Sequence, residues 1–240
     1  MSDSMRLDKF LSNMGVGTRS EVKKYIGWGR ITVNGKVVRQ PEHKVNPHAD
    51  QVAYKREVIP YEKNIYLMMN KPQGVISATA DDKEQTVLDL VKEIRKKDLF
   101  PVGRLDKDTE GLLVLTNDGP LGHALLSPRH HVPKGYRARI QGQPTQETVE
   151  KFKAGVVLED GYKTLPAELT VLASGPVSEI HVVVVEGKYH QIKRMFEAVG
   201  MQVLHLQRVS MGGLRLDPNL PPGSYRPLTP EEVIQLQQQS

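Results

Sequence analysis

Chemistry enters this chain at two polar clusters. The first, Val102-Gly103-Arg104-Leu105-Asp106-Lys107-Asp108-Thr109-Glu110-Gly111-Leu112, sets carboxylates and cations between two apolar runs. A cluster so placed is either a charged surface turn, with glycines making the bends, or a site. The second runs from Glu186 through Gly187-Lys188-Tyr189-His190-Gln191-Ile192-Lys193-Arg194 to Phe196 and follows the most hydrophobic run of the chain. It opens a helix whose Ile192, Phe196 and Val199 face inward, and Lys193 lies beside that face. By residue type alone it is also a helix start with a solvated basic rim.

Several chemistries are excluded by what these clusters lack. The chain has no cysteine, which removes disulfides, thiolate zinc sites and cysteine nucleophiles and leaves oxygen, nitrogen and histidine chemistry. Asp106 and Asp108 do not make a glycosidase pair, because residues two apart in an extended chain share one face and no carboxylate opposes them. No metal site is expected. Arg129-His130-His131, with His123 nearby, is the best histidine cluster, but adjacent histidines point apart and no ligand spacing follows. Neither a G-x-G-x-x-G turn nor a phosphate-loop lysine signature appears, so a nucleotide cofactor is not expected.

The elements that must position these clusters are short. From Ile65 onward, I-Y-L-M-M-N, L-L-V-L-T-N, Y-R-A-R-I-Q, A-E-L-T-V-L, E-I-H-V-V-V-V and Q-V-L-H-L-Q-R-V read as strands. Helical stretches near Thr86 to Lys96, Gln146 to Ala154 and His190 to Val199 interrupt them. Consecutive strands with irregularly inserted helices predict an α+β fold with a mainly antiparallel sheet.

The first quarter of the chain has a different pattern. Leu7, Phe10, Leu11 and Met14 recur at helical spacing before Gly15 to Gly17 stops them. Thr18-Arg19-Ser20-Glu21 has the form of a capping box, opening a helix with Val22, Tyr25 and Ile26 as its apolar stripe and Arg19, Lys23 and Lys24 turned away from it. Asn34-Gly35 between Ile31-Thr32-Val33 and Lys36-Val37-Val38 predicts a hairpin with a type I′ turn. Val58 to Asn64, with Pro60 and mixed charges, reads as a connecting segment.

Charge separates the two parts as well. Met5 to His48 holds nine cations (Arg6, Lys9, Arg19, Lys23, Lys24, Arg30, Lys36, Arg39, Lys44) against Asp8, Glu21 and Glu42, while the whole chain of 240 residues carries a formal net charge of +5. The segment therefore contains all of the chain's surplus positive charge, which suits a polyanion or, failing that, a solvated lysine-rich face. No run approaches the roughly 18 to 20 apolar residues that cross a bilayer, and the opening M-S-D-S-M-R-L-D has no hydrophobic signal core, so a soluble cytoplasmic protein is expected.

R-L-D-K-F-L, T-R-S-E-V-K-K-Y-I and G-R-I-T-V-N-G-K-V-V together resemble the S4-like RNA-binding module over about Met5 to Gln51. That resemblance implies that Arg19, Lys23 and Lys24 lie against RNA phosphates, which provide affinity and register rather than sequence choice. The two polar clusters, taken together, resemble the pseudouridine synthase family, in particular the branch that carries such a basic module and acts on ribosomal RNA. The resemblance implies that Asp106 in G-R-L-D is the catalytic residue, Tyr136 in K-G-Y-R-A the active-site tyrosine and Lys193 in H-Q-I-K-R the basic partner of the aspartate. Arg104 and Leu105 would help fix the aspartate loop. Arg129, His130 and Arg194 would touch RNA.

N-K-P-Q-G, S-P-R-H-H and E-G-K-Y-H-Q-I-K-R-M-F-E-A-V-G are closer to the small-subunit (16S) ribosomal branch than to the large-subunit (23S) one, with Lys188 where arginine is expected. A large-subunit synthase and a non-catalytic RNA-binding or ribosome-assembly factor are the alternatives. The expected organisation is an RNA-binding domain over 1–57, a linker over about 58–64 and a catalytic domain over 65–240. It would act as a monomer on ribosomal RNA, in an assembling small-subunit particle, with no cofactor and no membrane.

Overall fold

The computed structural model describes residues 4–61, 64–92 and 99–238. The chain forms two units, the first built on Met1–Ile65 and the second on Tyr66–Val91 with Leu99–Ser240.

In the first unit β1 (Met5–Arg6) leads directly into α1 (Leu7–Asn13), and α2 (Arg19–Gly27) follows after the glycine break. Thr18 and Glu21 form the expected capping box: the Thr18 hydroxyl accepts from the Glu21 amide at 3.3 Å, and Glu21 accepts from the Thr18 amide at 2.8 Å. Two otherwise unpaired donors at the helix start are satisfied in this way. β2 (Ile31–Val33) and β3 (Lys36–Val37) make the hairpin, with Asn34 at φ 50° and Gly35 at φ 77°, as a type I′ turn demands. β4 (Lys44–Val45) pairs with β1, and β5 (Val52–Tyr54) and β6 (Glu57–Val58) complete a second sheet in the order β3-β2-β5-β6.

Leu7, Phe10 and Leu11 of α1 meet Val22 and Ile26 of α2 and Ile31, Val45 and Val52 of the strands in one core. Each such side chain removed from water contributes about 1.5–3 kcal/mol. The segment read as a connector starts inside this unit. Val58 pairs with Ala53, the Ile59 amide donates to the Val52 carbonyl at 2.8 Å, and Tyr61 stacks on Phe10 with centroids 5.8 Å apart. Proline and scattered charge hide these contacts in the sequence, because single apolar residues at irregular spacing leave no periodic signal. Residues 62 and 63 of that segment lie outside the described residues.

The second unit is a sheet whose main path runs β11-β12-β10-β13-β9-β7-β15. Its strands are β7 (Tyr66–Lys71), β8 (Phe100–Pro101), β9 (Glu110–Thr116), β10 (Lys134–Gln141), β11 (Glu168–Ala173), β12 (Val177–Val184), β13 (Gln202–Met211), β14 (Leu214–Arg215) and β15 (Tyr225–Pro227). The sheet is mainly antiparallel. Among the named strands of the described residues, only β9 and β13 pair in parallel, through Gln207↔Glu110 and Arg208↔Gly111. β12 shows the alternation of a one-sided strand, with Ser178, Ile180, Val182 and Val184 buried, whereas β9 is buried on both faces.

α3 (Gly119–Leu126), α4 (Gln146–Ala154), α5 (Gln191–Glu197) and α6 (Pro230–Gln237) are the helices of this unit. α4 spans the predicted residues, and α5 lies within the predicted stretch. The apolar pattern predicts neither α3 nor α6: Gly119, Pro120 and Gly122 mask the first, although Asp118 caps it by accepting from the Leu121 amide at 3.1 Å. Of the stretch predicted from Thr86 to Lys96, the described residues form a 3-10 turn, Val87–Leu90, ended by extended Val91; residues 93–96 lie outside the described residues. One core packs α4 and α5 on the β10-β12-β13 face through Phe152, Ile192, Met195 and Phe196, and another gathers Met68, Leu112, Val114, Leu121, Leu125 and Met211.

Candidate active site

The cluster around Asp106 is the connection of a hairpin. β8 pairs with β9, and the Val102 amide still donates to the Val114 carbonyl at 2.8 Å, so Gly103 to Thr109 projects from the sheet as a closed loop. Its backbone is held from below. The Lys71 ammonium, wholly buried at the end of β7, donates to the carbonyls of Pro72 and Asp106 at 3.0 Å and of Thr109 at 2.9 Å. Burial pushes Lys71 down to about 8, against the pull of the Asp108, Asp106 and Glu110 charges.

Ser77 adds a two-way clamp, its hydroxyl donating to the Leu105 carbonyl and accepting from the Leu105 amide, both at 3.0 Å. The Thr109 amide donates to the Asp106 carbonyl at 3.1 Å. With the backbone spoken for, the Asp106 carboxylate is left one-third exposed and has no hydrogen bond that fixes it to its own loop. The Thr109 hydroxyl is buried without a partner.

Gly111 allows β9 to approach β13 closely enough for that loop to reach the rest of the site. It sits at φ 104°, and a Cβ there would overlap the Arg208 carbonyl oxygen. Arg208 is itself buried and its Nε donates to the Leu112 carbonyl at 2.7 Å.

The second cluster is brought opposite. Glu186 accepts from the Tyr162 hydroxyl at 2.6 Å, the Leu165 amide at 2.9 Å and the Gln191 amide group at 2.8 Å, while Gln191 accepts from the Lys188 amide at 2.9 Å. These bonds fix the turn into α5, where His190 adopts the left-handed conformation at φ 46°. Ile192 and Phe196 are buried, and Lys193 is thereby placed at the rim. Its Nζ lies 3.4 Å from one Asp106 oxygen, and His190 Nε2 lies 3.7 Å from the other.

Lys193 is not a partner of Asp106 alone. Its hydrogen bonds go to Asp108, at 2.6 and 2.8 Å, and they hold the Asp108 carboxyl below the usual range despite partial desolvation. Two carboxylates two residues apart share one face of the loop, so one ammonium reaches both.

Tyr136 enters from β10, where it pairs across to Arg208 and Val182. Arg104, Leu105, Asp106, Tyr136, His190 and Lys193 line one open depression of about 490 Å³ including its mouth, with Val184, Ile192 and Leu206 supplying apolar walls. The remaining predicted residues lie elsewhere. Arg194 pairs with Asp160 and does not line the depression, because the next position on a helix turns about 100° from Lys193. Arg129 and His130 are exposed in the turn after α3 and are not lining residues either. Arg19, Lys23 and Lys24 are exposed on α2 of the first unit.

Lys188 places its Nζ 4.9 Å over the Tyr162 ring, a cation–π contact that lysine as well as arginine can make. Sequence reasoning assigns no role to Lys71, Ser77 or His190. Lys71 is the legible one: a lysine closing the apolar run Y-L-M-M-N needs buried acceptors. Among the described residues no group of histidines and carboxylates is arranged to hold a metal.

Residues 65–198 match the RNA pseudouridylate synthase family, and residues 5–51 match the S4 domain. A Bacillus subtilis (strain 168) protein named uncharacterized RNA pseudouridine synthase YtzG is 48% identical over 231 residues, 95% of this chain and 97% of that protein. The ribosomal small subunit pseudouridine synthase A of Escherichia coli (strain K12) is 40% identical over 231 residues, 95% and 98% of the two chains. A crystal structure of a pseudouridylate synthase aligns with a TM-score of 0.69 at 33% identity, over 97% of this chain and 99% of that chain.

Proposed function

The chain belongs to the RNA pseudouridylate synthase family, and from that premise we propose that it isomerises one uridine of small-subunit ribosomal RNA with Asp106 as the catalytic group. RNA pseudouridine synthesis itself is the activity of the family. The observation that carries the finer reading is the bare Asp106 carboxylate, its loop tied down by backbone contacts and its oxygens 3.4 Å from Lys193 and 3.7 Å from His190 in a depression that Tyr136 also lines.

The reaction breaks the N1–C1′ bond of uridine, turns the detached uracil and joins its C5 to C1′; C5 then loses a proton and N1 gains one. It is redox-neutral and adds no atom, so it calls for no oxidant, reductant or co-substrate. Asp106 serves as nucleophile at C1′ or as base beside it, and either role needs a fixed anion. Lys193 places one positive charge between the two loop carboxylates and offsets part of their negative charge beside the depression. Tyr136 stands where its ring can lie against the uracil while its hydroxyl assists removal of the C5 proton. Arg104 and Leu105 hold the loop and its approach to RNA.

The small-subunit assignment is supported by the Escherichia coli relative, whose name states that substrate class. The first unit, whose packing extends through Tyr61, acts as the RNA-binding domain, and the chain from residue 65 onward acts as the catalytic domain. The working partner is an assembling small-subunit particle, approached by a monomer in the cytoplasm. Carbodiimide-dependent reverse-transcription stops, mapped on ribosomal RNA from cells with and without this gene, test the reading. One stop lost from small-subunit RNA, and restored by the wild-type gene but not by Asp106→Asn, is expected. A stop lost from large-subunit RNA overturns the substrate, and no lost stop overturns ribosomal RNA altogether.

A further inference from the structure

One large aromatic ring beside the depression keeps a face that the fold leaves open to solvent. Tyr189 is 75% exposed, more than any other large apolar or aromatic side chain among the described residues. Both of its chain neighbours, Lys188 and His190, line the depression. The ring is nonetheless held: it stacks on the His190 imidazole with centroids 3.8 Å apart and planes 17° from parallel. His190 is fixed in turn by its left-handed backbone at the start of α5, a conformation costly for a residue with a side chain. One face of Tyr189 is thus taken by His190, and the other is presented to solvent at the lip of the site.

An exposed aromatic face carries an energetic cost in water, and a strained residue holding it in place adds to that cost. Such a face has a natural occupant where the substrate is RNA. Unpaired bases stack on aromatic rings irrespective of their identity, while nearby cations meet the phosphates between them. Here Lys188 is exposed next to the ring, and Arg104 is exposed on the facing loop.

We propose that Tyr189 is a stacking platform for an unpaired nucleobase flanking the target uridine. The ring lies between two lining residues in the chain, so the base it holds is a close neighbour of the one that enters the depression. Holding the neighbour outside defines which nucleotide goes in. The proposal rests on the pseudouridine synthase reading of the Asp106 site, and it assigns the work to the ring of Tyr189 and not to its hydroxyl.

The test uses the full-length protein and an RNA fragment containing the uridine found by the mapping above, with flanking nucleotides replaced one at a time by abasic sites. Tyr189→Ala is expected to raise KM by roughly 5- to 150-fold, the range for loss of one base–aromatic stack, with kcat at saturating RNA changed less than about twofold. Tyr189→Phe and Tyr189→Trp should restore wild-type KM. At one flanking position the abasic RNA should cost the wild type as much as Tyr189→Ala does and cost the variant nothing further. Equal KM for wild type and Tyr189→Ala, failure of Tyr189→Phe to restore it, or penalties that multiply at every flanking position would each overturn the platform. Failure of the underlying reading looks different: the wild-type protein itself would then form no pseudouridine in the fragment.

Discussion

The Asp106 carboxylate is left partly exposed because Lys71 and Ser77 hold its loop through backbone atoms and the loop's side-chain bonds fall on Lys107 and Asp108 instead. Asp106→Asn keeps the side-chain shape and those contacts, so it should lower kcat by about 10²- to 10⁴-fold or more while RNA affinity changes little. Substantial turnover by the purified variant would remove Asp106 from the mechanism. Lys193→Met tests the shared cation. It should lower kcat and let the Asp108 carboxyl titrate in the ordinary carboxylate range, since the bond to Lys193 is the main cause of its depression. An Asp108 titration that does not move, followed by carboxyl NMR, would show that the pair is absent in solution. At this scale the sequence is informative about Asp106, Tyr136 and Lys193 through their motifs. It cannot show that Lys193 bonds Asp108 and reaches Asp106 only at 3.4 Å, because distances between segments 85 residues apart are set by the sheet.

At the scale of elements, Lys71 and Gly111 hold the loop to its strands. Lys71 is folded at about 8 against an ordinary 10.5, so between those values the unfolded chain binds more protons. Folding stability from this group therefore rises with pH across that window, relieving a burial cost of about 3 kcal/mol that is fully present below pH 8. In Lys71→Met that rise should vanish from denaturation midpoints measured between pH 7.5 and 10. The same variant should lose kcat, because the carbonyls of Pro72, Asp106, Lys107 and Thr109 lose their donor. Gly111→Ala should destabilise by about 2–4 kcal/mol, as its Cβ would force β9 from β13 at a positive φ; a denaturant midpoint close to wild type would show that the strands part cheaply. Period-2 runs and a Thr-x-x-Glu cap make most strands and α2 legible. α3 escapes because Gly119, Pro120 and Gly122 suppress the periodic signal in a short helix, whereas α6 carries at Thr229 and Glu232 the same Thr-x-x-Glu signal as α2.

For the whole molecule, the division of labour is open to measurement. Replacing Arg19, Lys23 and Lys24 with alanine should lower kcat/KM at physiological salt and reduce the salt slope of binding by about one unit for each phosphate no longer neutralised. At saturating RNA the variant should retain most of its kcat and modify the same uridine, since Asp106 and its partners all belong to the second unit. Normal binding would reduce α2 to a solvated face, and a changed uridine would assign site choice to the first unit. By itself the sequence determined what is local or periodic: the helix-helix-hairpin unit, the mainly antiparallel sheet, the concentration of cations before His48 and the two motifs that carry the chemistry. Tertiary structure alone decided which of the many cations face the depression, that Arg194, Arg129 and His130 do not, and that a buried lysine and a two-way serine clamp support the loop. The physical reason is that charge and periodicity are properties of neighbours in the chain, whereas the direction of a side chain depends on the burial of residues far from it in sequence.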